Sequence, residues 1–443
     1  MKKKHKLVYL GISTLLLFIA LFIYLIQNSQ SSLTLKLKSK LPKNIRYLIK
    51  DSINFYLNNT AVNFKYLSEK SFITEKGKEV LISEFNNKLL DYQGPRAYIS
   101  MKDNKIFLTS GTGIVGFVSK EQFYKNKNFK FNVIKSNIKE LVTYNDFYRN
   151  SNYGVKGMIL DEENIYISLS NLEQKDCVKI SIIKAKIDYK KLNFSYIFNP
   201  KECVKKKNTY GEFQPIQSGG AMFEFDKDNI LLSTGEFRFR DLAQTDTSIY
   251  GKVLKVNKLS GEYGLISKGH RNIQGLYYDD KNNIIISTEH GPLGGDEINI
   301  NKNIKNNSNF GWPISSYGEH YPKMAAKNAY EKAPLHKSHS AYGFIEPIKY
   351  FVPSIGITQI VKFPNKEKDK IRNEFYFSSM GYADRENSLS IHHIIFDENY
   401  DQIIFEDKIK INYRIRDLLV LDNKNILAYL EKKGSLIKVS FNE

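Results

Sequence analysis

The sequence predicts an all-β protein built as a six-bladed β-propeller and preceded by an N-terminal transmembrane helix. Three observations predict this fold class: a recurring phrase, little helical periodicity, and one long uncharged segment near the N-terminus. Short runs of β-branched residues are bounded by Gly, Asn and Asp, which is typical of strands joined by tight turns. A chain of 443 residues is long enough to form such a domain.

The phrase consists of a polar turn rich in Asp, Asn and Lys, a β-branched strand, and small residues. Most copies are separated by about 50 to 65 residues, the length of a four-stranded blade, and one longer gap carries an insertion at 291–341. Six copies predict six blades. The copies are KDNKIFLTSG from 102, DEENIYISLSN from 161, DKDNILLSTGE from 226, DKNNIIISTEHG from 280, IRNEFYFSSMG from 371 and LDNKNILAYLEKKG from 421.

The N-terminal segment predicts a membrane anchor. A lysine cluster at positions 2–6 precedes residues 7–26, which carry no charge. A bilayer-spanning helix needs about 20 apolar residues, and flanking lysines stay on the cytoplasmic side. We therefore predict a signal anchor over residues 1–27, a single-pass membrane protein, and a body in the periplasm or outside the cell. Cleavage as a signal peptide is the alternative.

Two further boundaries complete the domain organisation. Residues 28–93 are polar and lack the phrase, so we predict a stalk there, with a short helix possible from Leu41. Residues 94–443 contain every copy of the phrase and form the predicted propeller.

The net charge does not indicate nucleic-acid binding. The formal charge is +19, but the lysines are spread along the chain and mixed with 47 acidic residues. No RNP-like aromatic run, zinc finger or basic helix is present in the sequence. A basic surface near anionic lipid or an acidic partner is the preferred interpretation.

The two cysteines fit an exported body. Cys177 and Cys203 flank two predicted strands joined by a Lys-rich turn, and antiparallel neighbours can bring two Cα atoms within bridging distance. In an oxidising compartment this pattern predicts a disulfide, with two free buried thiols as the alternative.

The most informative segment, residues 269–313, opens with a basic, amide-rich turn. Arg271 offers a planar fork for a carboxylate or quinone oxygen, and Asn272 and Gln274 can orient a polar ring. A β-branched strand follows and leads into a Gly/Pro loop at 289–295.

This loop runs directly into Asp296 and Glu297. Backbone carbonyls turned inward beside acidic side chains form an all-oxygen site, which suits a hard cation such as calcium. A solvated loop is the alternative for the two acids.

The order of residues in 269–313 closely resembles the signature of the pyrroloquinoline-quinone (PQQ)-dependent glucose/sorbosone dehydrogenase family. QSGGAMFEFDKDNILLSTGE at 217–236, the stretch from Arg240, SNFGWPISSYGEHY at 308–321 and RIRD at 414–417 resemble its other motifs in the same order. The resemblance covers most of the chain between 217 and 417, whereas the earlier blades match only in style.

The resemblance implies a PQQ site and two calcium sites. It implies that Arg271, Asn272 and Gln274 contact cofactor or substrate and that Arg414 and Arg416 hold the carboxylates of the quinone. For these two arginines, a strand-end ion pair with Asp417 is the alternative. It also implies one calcium on the carbonyls of Gly291 and Pro292, and a second, structural calcium on Asp296 and Glu297.

Two departures from the family affect the expected chemistry. The general base of the family is a His, and Gln217 stands at that position, where an amide cannot take a proton near neutral pH. Glu236 and His270 are candidate substitute bases. Gly381 stands where a Lys is expected near the quinone, and Arg385 is a candidate replacement.

The resemblance therefore implies an oxidoreductase that uses PQQ and calcium and acts on the anomeric carbon of an aldose, with Gln217 and Arg271 at the catalytic position. The alternative is a non-catalytic propeller that binds a carbohydrate or protein partner after loss of the base. The sequence identifies neither the sugar nor the electron acceptor.

Overall fold

The computed structural model describes residues 13–14, 40, 42, 61–87, 96–142, 152–174, 176–208, 211–321, 331–364, 366–367 and 370–441. Residues 58–443 form one unit, and residues 1–57 form another. The predicted anchor at 1–27 lies outside the described residues, apart from Ser13 and Thr14. Across the described ranges, no helix has the length and apolar character needed to cross a membrane.

The described strands group in sequence order into six four-stranded antiparallel units, the predicted blades, and short extra strands extend some of the sheets. Two strands precede the first blade, namely β1 (Ala61–Ile73) and β2 (Glu79–Asn86). The first blade consists of β3 (Ala97–Lys102), β4 (Lys105–Ser110), β5 (Val115–Ser119) and β6 (Asn128–Ser136). The second consists of β7 (Gly154–Leu160), β8 (Asn164–Gln174), β9 (Cys177–Lys186) and, after the short β10 (Lys191–Leu192), β11 (Ser195–Phe198). The third follows the short β12 (Val204–Lys205) and consists of β13 (Gly219–Glu224), β14 (Asn229–Thr234), β15 (Lys252–Asn257) and β16 (Tyr263–Lys268).

The other three blades follow the same plan. The fourth blade consists of β17 (Ile273–Asp279), β18 (Ile284–Glu289), β19 (Asp296–Asn301) and, after the short β20 (Ser308–Asn309), β21 (Lys349–Phe351). The fifth begins with β22 (Ile357–Lys362) and, after the small hairpin of β23 (Lys366–Glu367) and β24 (Lys370–Ile371), continues with β25 (Asn373–Ser379), β26 (Ser390–Phe396) and β27 (Ile403–Lys410). The sixth consists of β28 (Ile415–Val420), β29 (Asn425–Leu430) and β30 (Ser435–Phe441) and is completed by β2. Within the described part of residues 58–443, the helical elements are α1 (Lys120–Lys125), α2 (Ile138–Leu141) and 3-10 turns at Arg240–Ala243 and Ser340–Tyr342.

The predicted phrase is confirmed as the repeating unit of the fold. Each copy forms the turn before the second strand of a blade and then that strand, namely β4, β8, β14, β18, β25 or β29. These strands are buried almost throughout, as in the pattern of β18, because a neighbouring blade covers each face. Outer strands such as β6 alternate between buried and exposed positions.

The hydrophobic core lies between the blades rather than at one centre. Six buried clusters each join two adjacent blades, and the cluster between the sixth and the first blade completes the circle. The innermost strands β3, β7, β13, β17, β22 and β28 contact one another in the same order and surround the axis. The prediction of an all-β, propeller-like fold is therefore confirmed.

The predicted stalk at 28–93 is wrong for its second half. β2 pairs with β30 over seven positions and completes the sixth blade, and β1 pairs with both β2 and β6. The first and sixth blades thus share one continuous sheet. The segment contains many polar residues because an outer strand buries only about half of its side chains, and this composition resembles that of a stalk.

The predicted disulfide is present. Cys177 and Cys203 are bonded, with 5.5 Å between their Cα atoms. Cys177 begins β9, and Cys203 immediately precedes β12, which pairs with β9. The bond therefore ties the segment leaving the second blade to the strand next to it.

The packing of β1 provides a test of its place in the fold. Phe64 is 1% exposed and lies in the cluster that joins the sixth and first blades. We predict that Phe64→Ala lowers the free energy of unfolding by about 3–5 kcal/mol, because it removes buried area and leaves a cavity. Urea denaturation followed by circular dichroism measures this change.

The matched control lies on the same strand. Leu67 is 52% exposed, so Leu67→Ala should change the free energy of unfolding by less than about 0.5 kcal/mol. Equal, small effects of both substitutions would mean that the segment is a stalk after all.

Candidate active site

The innermost strands carry side chains to the axis through β-bulges. In β17 one extra residue, Gln274, lies between Ile273 and Gly275, which face consecutive residues of β18. In β28 Arg416 is the extra residue. The ladders of β7, β13 and β22 shift at the corresponding place. A bulge leaves its extra residue unpaired and re-aims the side chain, which here points to the axis.

A small cavity lies on the axis where these bulges meet. Its volume is about 30 Å³, and all six innermost strands line it. Its lining includes Tyr98, Lys156, Ala221, Gln274, Gln359 and Arg416, together with Met158, Met222 and Asp417.

Arg414 and Arg416 share one carboxylate, that of Glu431. Arg416 Nε donates to Glu431 Oε2 at 2.5 Å, and Arg414 Nη2 donates to Oε1 at 3.2 Å. Burial alone would raise the pKa of Glu431, but the neighbouring Arg416 and Arg414 outweigh burial and hold it at about 2. Arg416 Nη1 also donates to Gln274 Oε1 at 3.0 Å, which couples the sixth blade to the fourth.

Asp417 is not the partner of either arginine. Its carboxylate accepts hydrogen bonds from the backbone N–H groups of Ile99 at 2.8 Å and Leu418 at 3.0 Å. Burial raises the pKa of Asp417 to about 7. The alternative of an ion pair with Asp417 is therefore wrong, although both arginines are ion-paired within the fold.

Glu289, at the end of β18, holds the turn that contains Arg271. Its carboxylate accepts from the backbone N–H groups of Arg271 and, at 3.2 Å, Asn272, and it lies 2.9 Å from His270 Nδ1. Asn272 Oδ1 in turn accepts from Gly219 N at 3.0 Å. The start of the fourth blade is thereby held against the start of the third.

Gln217 joins this arrangement through its amide. The hydrogen-bond network assigns the orientation in which Gln217 Nε2 donates to Glu236 Oε1 at 2.9 Å. In that orientation Gln217 Oε1 accepts from Arg271 Nη2 at 2.8 Å and Arg238 Nε at 2.9 Å. Burial raises the pKa of Glu236 to about 7, although Arg271 and other arginines oppose the shift.

Comparison with known proteins identifies the family. Residues 92–438 match the family described as Glucose / Sorbosone dehydrogenase, which covers more than half of the chain. The chain belongs to the glucose/sorbosone dehydrogenase family. Its predicted membership is confirmed.

Two curated relatives that match the chain are distant in sequence. The chain is 26% identical over 238 residues to aldose sugar dehydrogenase YliI of Escherichia coli, covering 50% of this chain and 59% of that protein. It is 30% identical over 199 residues to an uncharacterized protein of Synechocystis sp., covering 42% and 43% respectively. The chain therefore spans about half the length of the curated relatives it matches.

Solved structures support the fold. A crystal structure of a glucose dehydrogenase has a TM-score of 0.62 at 15% identity, covering 85% of this chain and 100% of that chain. The soluble aldose sugar dehydrogenase of Escherichia coli in the apo-form has a TM-score of 0.61 at 17% identity, covering 85% and 99%. At such identity the likeness shows the fold.

The carbonyls predicted to bind calcium already accept hydrogen bonds. Gly291 O accepts from Arg271 Nη1 at 2.6 Å, so a guanidinium cation stands beside the first carbonyl. Pro292 O accepts from Tyr321 Oη at 3.1 Å. Within the described residues, no group of three or more His, Cys, Asp and Glu side chains is arranged to hold a metal ion.

The acids predicted to bind a second calcium are also engaged. Asp296 accepts from the backbone N–H groups of Gly356 at 2.6 Å and Ile357 at 3.0 Å, and so anchors the loop between the fourth and fifth blades. Glu297 Oε1 lies 3.4 Å from His339 Nε2. Burial would lower the pKa of His339, but Glu297 outweighs burial and raises it. These residues do not fit the predicted calcium sites.

Two further candidates, His270 as a base and Arg385 as a replacement for the expected Lys, do not have the surroundings that these roles require. His270 is 1% exposed, and its second nitrogen, Nε2, lies 2.8 Å from Ser267 Oγ, so both ring nitrogens are engaged and it is not available as a base. Arg385 donates to Ser354 O and lines a pocket at the fifth blade, away from the axial cavity.

Sequence reasoning missed Lys156, Glu289 and Glu431. The signal for the two carboxylates was present, because each lies at or just after the end of the strand in its copy of the phrase, as does Glu236, which was already a candidate base. For Lys156 the signal was its position relative to the repeated phrase. Lys156 and Gln274 each precede a glycine, and each lies about five or six residues before the start of its copy of the phrase.

The engagement of Asp296 generates a prediction about calcium. The melting temperature of the wild-type protein should differ by less than about 1 °C between calcium and chelator, because the oxygens of Gly291, Pro292 and Asp296 are already satisfied by hydrogen bonds within the described residues. Asp296→Asn should be destabilised by about 1.5–3 kcal/mol in both media, because hydrogen bonds to a charged acceptor are lost. Calorimetry measures both effects.

A calcium-dependent rise in the melting temperature that disappears in Asp296→Asn would restore the calcium assignment. Glu319→Gln is the control: Glu319 is an exposed acid near the same loop, and its replacement should leave both melting curves unchanged.

Proposed function

We propose that this chain is an exported, membrane-anchored, PQQ-dependent dehydrogenase that oxidises the anomeric carbon of an aldose. The observation that carries the proposal is the pair of guanidinium groups of Arg414 and Arg416 held by Glu431, of which Arg416 lines the axial cavity. Guanidinium groups bind carboxylates with two parallel hydrogen bonds, and PQQ is a tricarboxylate. Arg271, Asn272 and Gln274, which the resemblance assigns to cofactor or substrate, lie at the start of the fourth blade, and Gln274 accepts a hydrogen bond from Arg416.

The chemistry of the donor set fits an anionic ligand. Arg96 and Lys156 lie near Arg414, Arg416 and Glu431 and add positive charge to the same region. Two buried polar atoms close to Arg271, namely Glu236 Oε2 and His290 Nε2, have no hydrogen-bond partner among the described residues. A region with surplus cations and unsatisfied polar atoms favours a polar, negatively charged ligand.

The redox chemistry would be supplied by the quinone when it is bound, as the acceptor for the hydride of the anomeric carbon. Glu236 is the residue that we propose takes the proton of the anomeric hydroxyl, because its Oε2 is unpaired and burial brings its pKa to about 7. Gln217 holds the other oxygen, Oε1, and thereby orients the carboxylate.

A titration of the purified protein with PQQ tests the proposal. We expect the absorbance of the quinone to change on binding and to bleach when an aldose is added. Binding without bleaching under any aldose would indicate a cofactor-holding but inactive propeller. Absence of binding would refute the proposed function.

The role of Glu236 is tested in the same assay. Glu236→Gln should bind PQQ like the wild type but reduce kcat by about 10²–10⁴-fold, because a positioned base is lost. In the wild type, kcat/KM should rise as the pH increases through about 7, since Glu236 must be ionised to accept a proton. The variant should lose this rise.

Glu212→Gln is the matched control. Glu212 is also buried and is paired with Arg240. Glu212→Gln removes one buried carboxylate, as Glu236→Gln does, but leaves Glu236 in place. A rise in kcat/KM that persists in Glu236→Gln would remove Glu236 from the mechanism.

The proposed location rests on residues 1–27 and on the disulfide. The lysine cluster and the uncharged run fit an anchor with a cytoplasmic N-terminus. The Cys177–Cys203 bond fits an oxidising compartment. Protease added to intact spheroplasts should digest the body; protection that is lost only on lysis would place the body in the cytoplasm.

A further inference from the structure

Lys156 occupies in the second blade the position that Gln274 and Arg416 occupy in the fourth and sixth. In β7, Val155 and Gly157 face consecutive residues of β8, and Lys156 is the extra residue between them. The same two-against-one pairing flanks Gln274 and Arg416. The three side chains therefore enter the axial cavity from three different blades.

The neighbouring blade leaves room for the stem of Lys156. Gly220 has φ +107°, and a Cβ on it would lie 2.3 Å from the Cβ of Lys156. Any other residue at position 220 would displace the lysine, and this backbone conformation is itself one that glycine adopts readily. The glycine pair of the third blade thus provides the space that Lys156 fills.

The amine of Lys156 is buried in a positively charged region. Lys156 is 7% exposed, and its Nζ donates to Asn152 O at 2.7 Å. Arg96 donates to the same carbonyl at 3.4 Å. Burial first, and then Arg96 and Arg416, lower the pKa of Lys156 well below its ordinary value.

Burying an ammonium group beside two guanidinium groups is unfavourable unless an anion completes the site. Glu431 is the ionised carboxylate nearby, and Arg414 and Arg416 already occupy its two oxygens. A ligand that brings its own negative charge to the axis would supply the anion that this arrangement lacks.

We infer that Lys156 is a further cofactor-binding residue whose ammonium group binds a carboxylate of the quinone beside Arg416, an inference that rests on the proposed function. The geometry that carries it is the shared bulge position, the space left by Gly220, and the common axial cavity. An ammonium group binds one carboxylate oxygen as a point charge, whereas the guanidinium groups supply planar pairs of donors.

The test is the affinity of purified Lys156→Met for PQQ, measured by calorimetric titration. Methionine keeps the length of the stem and removes the charge. We expect the Kd to rise about 10- to 100-fold, which corresponds to the loss of a hydrogen bond between charged groups. The dependence of Kd on salt concentration should also weaken, because one fewer cation contacts the ligand.

Thermal melting of the ligand-free protein separates binding from a structural role. Removing an ammonium group from among guanidinium groups should leave the melting temperature unchanged or raise it. Lys258→Met is the matched control, since Lys258 is equally buried but is paired with Asp161 and Glu224 away from the axis. Its Kd for PQQ should equal that of the wild type.

Each outcome of this experiment decides the matter. If the wild type and Lys156→Met bind PQQ equally well, the assignment of Lys156 is overturned while the proposed function stands. If the wild type does not bind PQQ, both are overturned. If Lys156→Met does not fold, Lys156→Gln takes its place in the titration, and an unchanged Kd for a folded Lys156→Gln likewise overturns the assignment.

Discussion

The pairing of β2 with β30 is the interaction on which the rest of the structure depends, because it joins the beginning of the described domain to its end. Without β2 the sixth blade would have three strands and an unpaired edge. β1 then extends across to β6, so the two blades at the junction share backbone hydrogen bonds as well as a hydrophobic cluster. A closed ring fixes the distance of every innermost strand from the axis, and only then can side chains of different blades meet.

Within that ring, three buried carboxylates position the candidate site. Glu236, Glu289 and Glu431 lie at or just after the ends of the second strands of the third, fourth and sixth blades, and each binds groups at the beginning of an innermost strand. Their environments differ, however. Glu431 lies between two arginines and stays ionised, whereas Glu236 is desolvated and titrates near neutral pH. The same element of the repeat can therefore supply a fixed counter-charge in one blade and a proton acceptor in another.

The sequence predicted what depends on local chemistry. The six phrases became the six second strands because turn residues and β-branched runs act over a few positions. The role of residues 61–86 could not be predicted, since their partners lie in β6 and at the far end of the chain, and half of their side chains face outward.

The candidate site was predictable in part for a related reason. Residue types in order indicated Arg271, Arg414 and Arg416, and these lie on blades whose innermost strands surround the axis. Sequence order could not reveal that Arg271 and backbone N–H groups occupy the oxygens assigned to calcium, because those contacts join different blades.

The bulges have a consequence for how such a protein can diversify. Lys156, Gln274 and Arg416 belong to none of the six hydrophobic clusters, and as bulge residues they have no partner in the strand ladders. Replacing one of them changes what the axis presents to a ligand while the blades keep their packing. The bulge positions can therefore be substituted, by evolution or by design, to change ligand specificity without changing the scaffold. The persistence of the fold at 15% identity to a glucose dehydrogenase is consistent with that separation of scaffold from specificity.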